Sequence, residues 1–430
     1  MAFFCSRFYN IYMIIENQVS IYDFVSAISE VVDLVCPELN RHHKKVAYIA
    51  HNIALEMGLP NVETQDIVLA SMLHDIGAFT TEERIKNLEF ESCDDGRGHH
   101  AFSGFRLLET FKPLSRAAEL IRHHHTVYEE SDCDIALGSR VIHLADRVSV
   151  MFDESREILE QIPSVAAKFS LRRDLFHPDV FAAFDRLTKL EYVWVEAFLP
   201  LSDCLMIKRM QFPKEIADLD TLRSFAKLIA QIIDFRSRFT ATHSSGVAAV
   251  AHELAAISGF SERECRQMEI AGFLHDLGKL AVPDGILEKK GALSDIEFNL
   301  IRKHTYYTYA VLSKVKGLED IAVWASYHHE RQDGNGYPFH VKDGDFSKLA
   351  RIMAVADIIT ALTEDRPYRS GMSREKAENI LLSMAEDGGI DKNVVDLANK
   401  NFLRINNARV KAQKKARKEY DVFYGTQARA

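Results

Sequence analysis

The stretch His328-His329-Glu330-Arg331-Gln332-Asp333-Gly334-Asn335-Gly336-Tyr337-Pro338 decides how this chain is read, and it lies downstream of an adjacent pair, His275-Asp276, and of a separate His243. A histidine beside an aspartate offers one neutral nitrogen donor and one carboxylate able to bridge two cations, and bridging lets a second metal sit about 3.5 to 4 Å away. Glycines at 334 and 336 permit positive φ, while Pro338 fixes its own φ and keeps Tyr337 extended. The end of the stretch is therefore a shaped loop, not a helix. Together these residues read as one metal site with a substrate lip beside it, the pattern of a metallohydrolase.

Working outward, the same set occurs earlier, at His42, His74-Asp75, His100, His124-His125 and Asp146. His42 to His74 and His243 to His275 both span 32 residues, and each second histidine is followed by Asp-(Ile/Leu)-Gly. His100 and His304 each precede a small or hydroxyl residue at plus four (Gly104, Thr308) and a leucine at plus eight (Leu108, Leu312). His124-His125 answers to His328-His329, and Asp146 to Asp357. The offset between copies grows from 201 to 204 and then to 211 residues, so the later copy carries a second insertion where the Gly-Tyr-Pro loop sits. A lone histidine is more often a surface or satisfied core residue than a ligand. Seven aligned positions that recur in order overturn that prior.

In the second copy the expected ligands are His243, His275, Asp276 and Asp357 for one metal, and Asp276, His304, His328 and His329 for the other. A water held between two such cations has a lowered pKa and can attack phosphorus. Mixed imidazole and carboxylate ligation suits iron or manganese, with zinc, cobalt and nickel open. In the first copy, His42, His74, Asp75, His100, His124, His125 and Asp146 offer places for one or two more ions.

A chain of 430 residues with 47% apolar content can build two cores, and its scarce Pro and Gly with three- and four-residue apolar spacing predict an all-α protein of two tandem helical bundles. The boundary is placed near residue 205, giving domains 1–204 and 205–430, the second ending in a basic helix. Ala183 to Leu199 reads as one amphipathic helix ending at Pro200, and Asp220 onward as a long helix leading to His243. A helix begun near Ser261 should end at His275-Asp276, with Gly278 closing it. No low-complexity linker separates the halves, so they are expected to pack together.

A formal charge of −9 argues against a nucleic-acid polymer as main partner, because broad phosphate contact needs a basic face. A small anionic ligand in a local cationic pocket remains open. Cys5, Cys36, Cys93, Cys133, Cys204 and Cys265 include no Cys-x-x-Cys pair and suggest buried thiols in a reducing, cytoplasmic setting. The apolar opening, Met1 to Ile15, is interrupted by Arg7 and Asn10 and reads as neither signal peptide nor membrane span. The Lys and Arg cluster over 404–420 reads as a solvated helix face.

On these motifs the second half, roughly residues 220 to 400, resembles the HD-GYP branch of the HD metal-dependent phosphohydrolase superfamily, which opens cyclic dinucleotides such as cyclic di-GMP and cyclic GMP-AMP. His275-Asp276 is the HD pair, Gly336-Tyr337-Pro338 the GYP, and Ala361-Leu-Thr-Glu-Asp-Arg-Pro-Tyr-Arg369 also matches. Roughly residues 20 to 200 resemble a plain HD domain without a GYP segment. The resemblance implies a bacterial metal-dependent phosphodiesterase with two divalent ions, releasing a linear 5′-phosphorylated dinucleotide. It places Asp276 and Lys279 at the chemistry, with Lys279 on a phosphate oxygen, Arg366 and Arg369 on the other phosphate or a base, and Tyr337 lining the cleft. A diester dianion entering a metal pocket needs such cations to offset its desolvation.

Where some members carry a glutamate for a third metal, this chain has Phe239, which favours two. In the first copy Ala78 stands at the lysine position and no arginine-rich segment follows Asp146, so its substrate should differ. Plain HD domains include nucleotidases, which implies removal of the 5′ phosphate from the linear product. The double-HD layout resembles the cyclic GMP-AMP-degrading members, while nothing in the motifs separates adenine from guanine. Two alternatives stay open: a signalling module that binds a cyclic dinucleotide or a GGDEF protein through the GYP surface without turnover, and a nucleotide phosphohydrolase with the loop as decoration. Pairing of two chains is open as well.

Overall fold

A computed structural model describes residues 19–35, 40–87, 98–129, 134–199, 212, 216–236, 241–289, 291–342, 345–365 and 370–427. Among them the fold is all α apart from one short antiparallel ladder, Val19–Ser20 against Ile216–Ala217. Each strand feeds a helix, Ile21–Asp33 or Leu219–Phe235, whose first turn is capped by the side chain of Ser20 or Asp218. These two helices cross between the copies. Ile21–Asp33 packs on Asp295–Leu312 and Leu277–Ala281 of the second copy, and Leu219–Phe235 reaches Gly98–Leu108 of the first. Phe225 is the contact point, edge-on to Phe24 and stacked on Phe111 with both centroid separations 4.8 Å. The halves thus share one apolar core, as the missing linker implied. The expected boundary near residue 205 lies outside the described residues.

Within each copy a central helix carries the first histidine. His42–Glu56 packs on Asn61–Leu73 and Leu137–Ser149, and His243–Ile257 packs on Glu262–Leu274 and Lys348–Thr363. The segments after the two HD pairs are tied back to back. Arg236, buried, donates to the carbonyls of Phe79 (3.0 Å), Lys279 (3.0 Å), Leu280 (3.1 Å) and Val282 (3.2 Å). Thr81 donates its amide and hydroxyl to Asp284 at 3.0 and 2.7 Å. A buried guanidinium is tolerated only when its donors are met, and here backbone oxygens from both copies meet them.

Two expectations are corrected. The helix from Leu219 ends at Phe235, and His243 starts a new one, because Arg236 turns inward onto those four carbonyls. The helix expected over Ala183 to Leu199 is two, Pro178–Leu187 and Glu191–Phe198. The break lets Trp194 donate to the Leu187 carbonyl at 2.9 Å and stack on Phe152, a tertiary reward that apolar periodicity does not report.

The helix from Glu262 forms as expected, with a capping box between Ser261 and Glu264. The last helix, Phe402–Gln427, buries Ile405, Ala416 and Phe423 and turns Lys411, Lys414, Lys415 and Lys418 to solvent as anticipated, while Arg409 of the same basic cluster is buried. Cys265 is a buried thiol, while the other five cysteines and residues 1–18 lie outside the described residues. No helix among the described residues is long and apolar enough to cross a membrane.

Candidate metal centres

Most of the candidate ligands sit where a helix starts or stops. His243 opens its helix, His275 caps the helix Glu262–Leu274, and His328 and His329 form the 3-10 turn after Glu319–Ser326. His304 and Asp357 project from the helices Asp295–Leu312 and Lys348–Thr363. The HD turn is pressed against the His304 helix: a Cβ on Gly278 would stand 1.9 Å from the His304 carbonyl oxygen, so only glycine fits, and Thr308 accepts the Gly278 amide at 2.9 Å. Gly77 meets the His100 carbonyl the same way at 2.1 Å. The Asp-x-Gly repeat is therefore a packing requirement of the site.

Asp276 is buried and its two oxygens face different groups. Oδ2 lies 3.2 Å from His275 Nε2, while Oδ1 lies 3.4 Å from His304 Nε2 and 3.9 Å from His328 Nε2. His243 Nε2 is 3.1 Å from Asp357 Oδ1. Donor atoms of His243, His275 and Asp276 lie within 4.8 Å of one another, as do those of His304, His328 and His329. All seven expected positions of the second copy come together, in two groups joined by one carboxylate.

The first copy repeats the plan. Asp75 Oδ2 faces His74 Nε2 at 3.5 Å, and Oδ1 faces His100 at 3.2 Å and His124 at 3.9 Å. Asp146 Oδ1 is 3.3 Å from His42 and 3.7 Å from His74, and His125 joins the group of Asp75, His100 and His124.

The ring orientations suit metal binding. Nδ1 donates to the carbonyl three residues back in His74, His124, His275, His304 and His328, at 2.6 to 2.8 Å. That bond fixes the tautomer and leaves the Nε2 lone pair facing the centre. His243 Nδ1 is held instead by Glu364, 3.1 Å away, which Gln413 of the last helix holds in turn at 3.1 Å; His42 Nδ1 meets Ser149 at 3.2 Å.

Burial lowers the pKa of His304 and His124 to about 3 and of His74 to about 4, keeping these imidazoles neutral. Burial pushes the Asp276 carboxyl up, but His275 and Lys279 hold it well below the usual range. Neutral imidazoles and ionised carboxylates are the forms that ligate. Asp276 Oδ1, Asp146 Oδ1 and the Nε2 atoms of His100, His124 and His125 are buried without a hydrogen-bond partner. Such atoms are costly in a fold unless something binds them, and divalent cations fit both clusters.

Beside the second centre, Lys279 Nζ lies 2.6 Å from Asp276 Oδ2. The Tyr337 ring leans on His329 with centroids 4.9 Å apart, and the Arg302 guanidinium sits over the same ring, 4.8 Å from its centroid. The loop that carries Tyr337 is pinned by Glu330, whose buried carboxylate accepts the amides of Phe339 (2.6 Å) and Val341 (3.0 Å). Gly334 takes positive φ as expected; Gly336 is needed for closeness, since its Cβ would stand 2.3 Å from the Arg331 nitrogen. Arg366, Arg369 and Phe239 lie outside the described residues. Sequence reasoning missed Glu364, Gln413 and Arg302. Glu364 sat inside a quoted motif, whereas Gln413 and Arg302 carried no local signal.

Residues 40–151 and 227–394 each match the HD domain family. With its intact His-His-Glu-x-x-Asp-Gly-x-Gly-Tyr-Pro run, the chain belongs to the HD family as a tandem of a plain HD domain and an HD-GYP domain. Over 402 residues, 90% of this chain and 93% of the relative, it is 29% identical to 3′3′-cGAMP-specific phosphodiesterase 1 of Vibrio cholerae. Shorter matches are 36% identity over 160 residues to 3′3′-cGAMP-specific phosphodiesterase 3 of that organism (37% of this chain, 35% of the relative) and 40% over 152 residues to a cyclic di-GMP phosphodiesterase of Pseudomonas aeruginosa (35% and 36%). A crystal structure of a cyclic GMP-AMP-specific phosphodiesterase of V. cholerae superposes with a TM-score of 0.61 at 20% identity, covering 91% of this chain and 97% of the other, and so shares the fold.

Proposed function

We propose that this chain is a metal-dependent phosphodiesterase that hydrolyses one diester bond of a cyclic dinucleotide, 3′3′-cyclic GMP-AMP or cyclic di-GMP, to a linear 5′-phosphorylated product. The observation that carries it is Asp276, whose two oxygens face separate histidine groups while Lys279 stands on its outer edge. The near full-length relative, named for cyclic GMP-AMP, favours that substrate.

Bound divalent ions supply Lewis acidity and an acidified water, and the mixed donor set suits iron or manganese. The remaining work belongs to side chains. His243, His275, Asp276, His304, His328, His329 and Asp357 hold the ions, and Glu364 and the i−3 carbonyls keep the rings aimed. Lys279 exchanges its contact with Asp276 for a phosphate oxygen and offsets the desolvation of the diester. Tyr337, backed by Arg302, offers a ring for a base to lie on. Arg366 and Arg369, outside the described residues, are the proposed contacts for the other phosphate or a base.

The first copy has a full ligand set but Ala78 where the second has Lys279. That combination favours another phosphate ester, and the 5′ phosphate of the linear product is the natural one. We place the domain boundary near residue 205 and the enzyme in the cytoplasm.

Metal-replete chain should open cyclic dinucleotides far faster than it acts on nucleoside mono- or triphosphates. Cyclic dinucleotide binding without turnover would instead support the signalling-module reading, and preferred nucleoside triphosphate cleavage the nucleotide phosphohydrolase. Linear product fed to the H275A/D276A variant tests the first copy: no phosphate release removes the nucleotidase role.

A further inference from the structure

The first copy contains a histidine with no counterpart in the second. His43 follows His42, and the aligned residue after His243 is Ser244. Both positions face an aspartate at the end of the preceding helix. Asp234 accepts the Ser244 hydroxyl at 2.8 Å and its amide at 3.1 Å, and Asp33 pairs with His43 Nδ1. In the second copy that contact ends at a hydroxyl. In the first it continues through a ring that carries a second nitrogen beyond the paired Nδ1.

The surroundings of that ring are those of the metal centre. A ring nitrogen of His43 lies within 4.8 Å of donor atoms on His74 and Asp75, which are equally close to each other. The rings of His43 and His74 have centroids 5.0 Å apart. His43 is 1% exposed and Asp33 5%, so neither is placed by solvent. The pairing also repeats what marks the ligands themselves, since Nδ1 of His42, His74 and His124 is likewise occupied by a neighbour, leaving Nε2 for a cation. A carboxylate on Nδ1 is the strongest form of that arrangement, because it raises the basicity of the far nitrogen as well as fixing the ring.

Building on the reading of the first copy as a metal centre, we propose that His43 is an added ligand there, joining His74 and Asp75 on one cation with Asp33 as its orienting carboxylate. The two copies then differ in their metal sites as well as in the cation at the phosphate position. An extra imidazole makes the first centre richer in nitrogen, which favours borderline metals such as zinc, cobalt or nickel more than it favours manganese.

The test uses the full chain with both ion sites of the second centre disabled by H275A/D276A/H304A/H328A, loaded with Co(II) and followed by its visible absorption and by metal retained against a competing chelator. In that background H43N keeps a donor for Asp33 but removes the far nitrogen, and H43S installs the residue that the second copy tolerates against its own aspartate. Both should weaken Co(II) binding at least 10-fold and change the absorption spectrum, with D33N giving a smaller loss. Unchanged affinity and spectrum in both His43 variants would overturn the assignment while leaving the first centre intact. Absence of Co(II) binding with His43 present would instead remove the metal reading of the first copy, and the inference with it. Thermal unfolding of the metal-free variants separates lost ligation from lost folding: H43N with parental metal-free stability and weakened binding supports ligation, and a binding loss matched by metal-free destabilisation in both variants counts against it.

Discussion

Replacing Gly278 by alanine asks whether the HD turn sets the metal geometry. A Cβ there would meet the His304 carbonyl oxygen at 1.9 Å, its carbon at 2.7 Å and its Cα at 2.8 Å, all backbone atoms that cannot swing aside. Carbon and oxygen need about 3 Å or more, so the turn or the His304 helix must retreat by roughly 1 Å. His304 Nε2 starts 3.4 Å from Asp276 Oδ1 and 3.2 Å from His328 Nε2, and metal–ligand distances tolerate only about 0.2 Å. The retreat therefore costs about 1 to 3 kcal/mol of stability and takes His304 out of its coordination sphere. Metal affinity of the second centre should fall by roughly 100-fold or more, and diester hydrolysis with it. Metal per chain after dialysis at fixed free metal, alongside product chromatography, measures both. Gly285→Ala is the control, since nothing lies within 4 Å of its Cβ. Gly77→Ala, with its contact to His100 at 2.1 Å, should damage the first centre while sparing hydrolysis of the cyclic substrate. Parental metal content and rate in Gly278→Ala would refute the reasoning.

Lys279→Met should lower kcat/KM for the cyclic substrate by about 100- to 1,000-fold with metal content unchanged, the loss expected for one charged contact to the reacting phosphate; a rate within threefold of the parent would remove Lys279 from the site. Glu330→Ala strands the Phe339 and Val341 amides, so the loop loosens and KM rises severalfold more than kcat falls, at a cost of about 2 to 4 kcal/mol measured by urea unfolding. Burial pushes the Asp234 carboxyl up to about 7, outweighing the lowering by His243 and Ser244. Since this value lies above the unfolded one of about 3.9, the folded chain holds the extra proton between the two, and stability is lost as pH rises from about 4 to 7. Asp234→Asn should remove that part of the pH slope in chelator-treated chain, read as the difference in urea midpoints at pH 5 and pH 8; identical slopes would place the titration elsewhere.

Helical class and the doubled, ordered set of histidines and aspartates were legible from residues alone, because a metal-binding pattern demands particular side chains and duplication repeats them at measurable offsets. The seven positions of the second copy converge, and the first copy proved equally complete. Other features depend on contacts between segments far apart in the chain. Arg236 ends a helix early by reaching carbonyls some forty residues ahead and across the copy boundary at Phe79, and Trp194 breaks another by turning back on Leu187. Gln413 steadies Glu364 from the last helix, and Asp33 meets His43 ten positions on, a pairing that no periodicity encodes. Side-chain chemistry and spacing are local properties that a sequence displays. Which carboxylate faces which ring, and which helix must stop to allow it, is settled only when distant helices pack and each buried polar atom finds its partner.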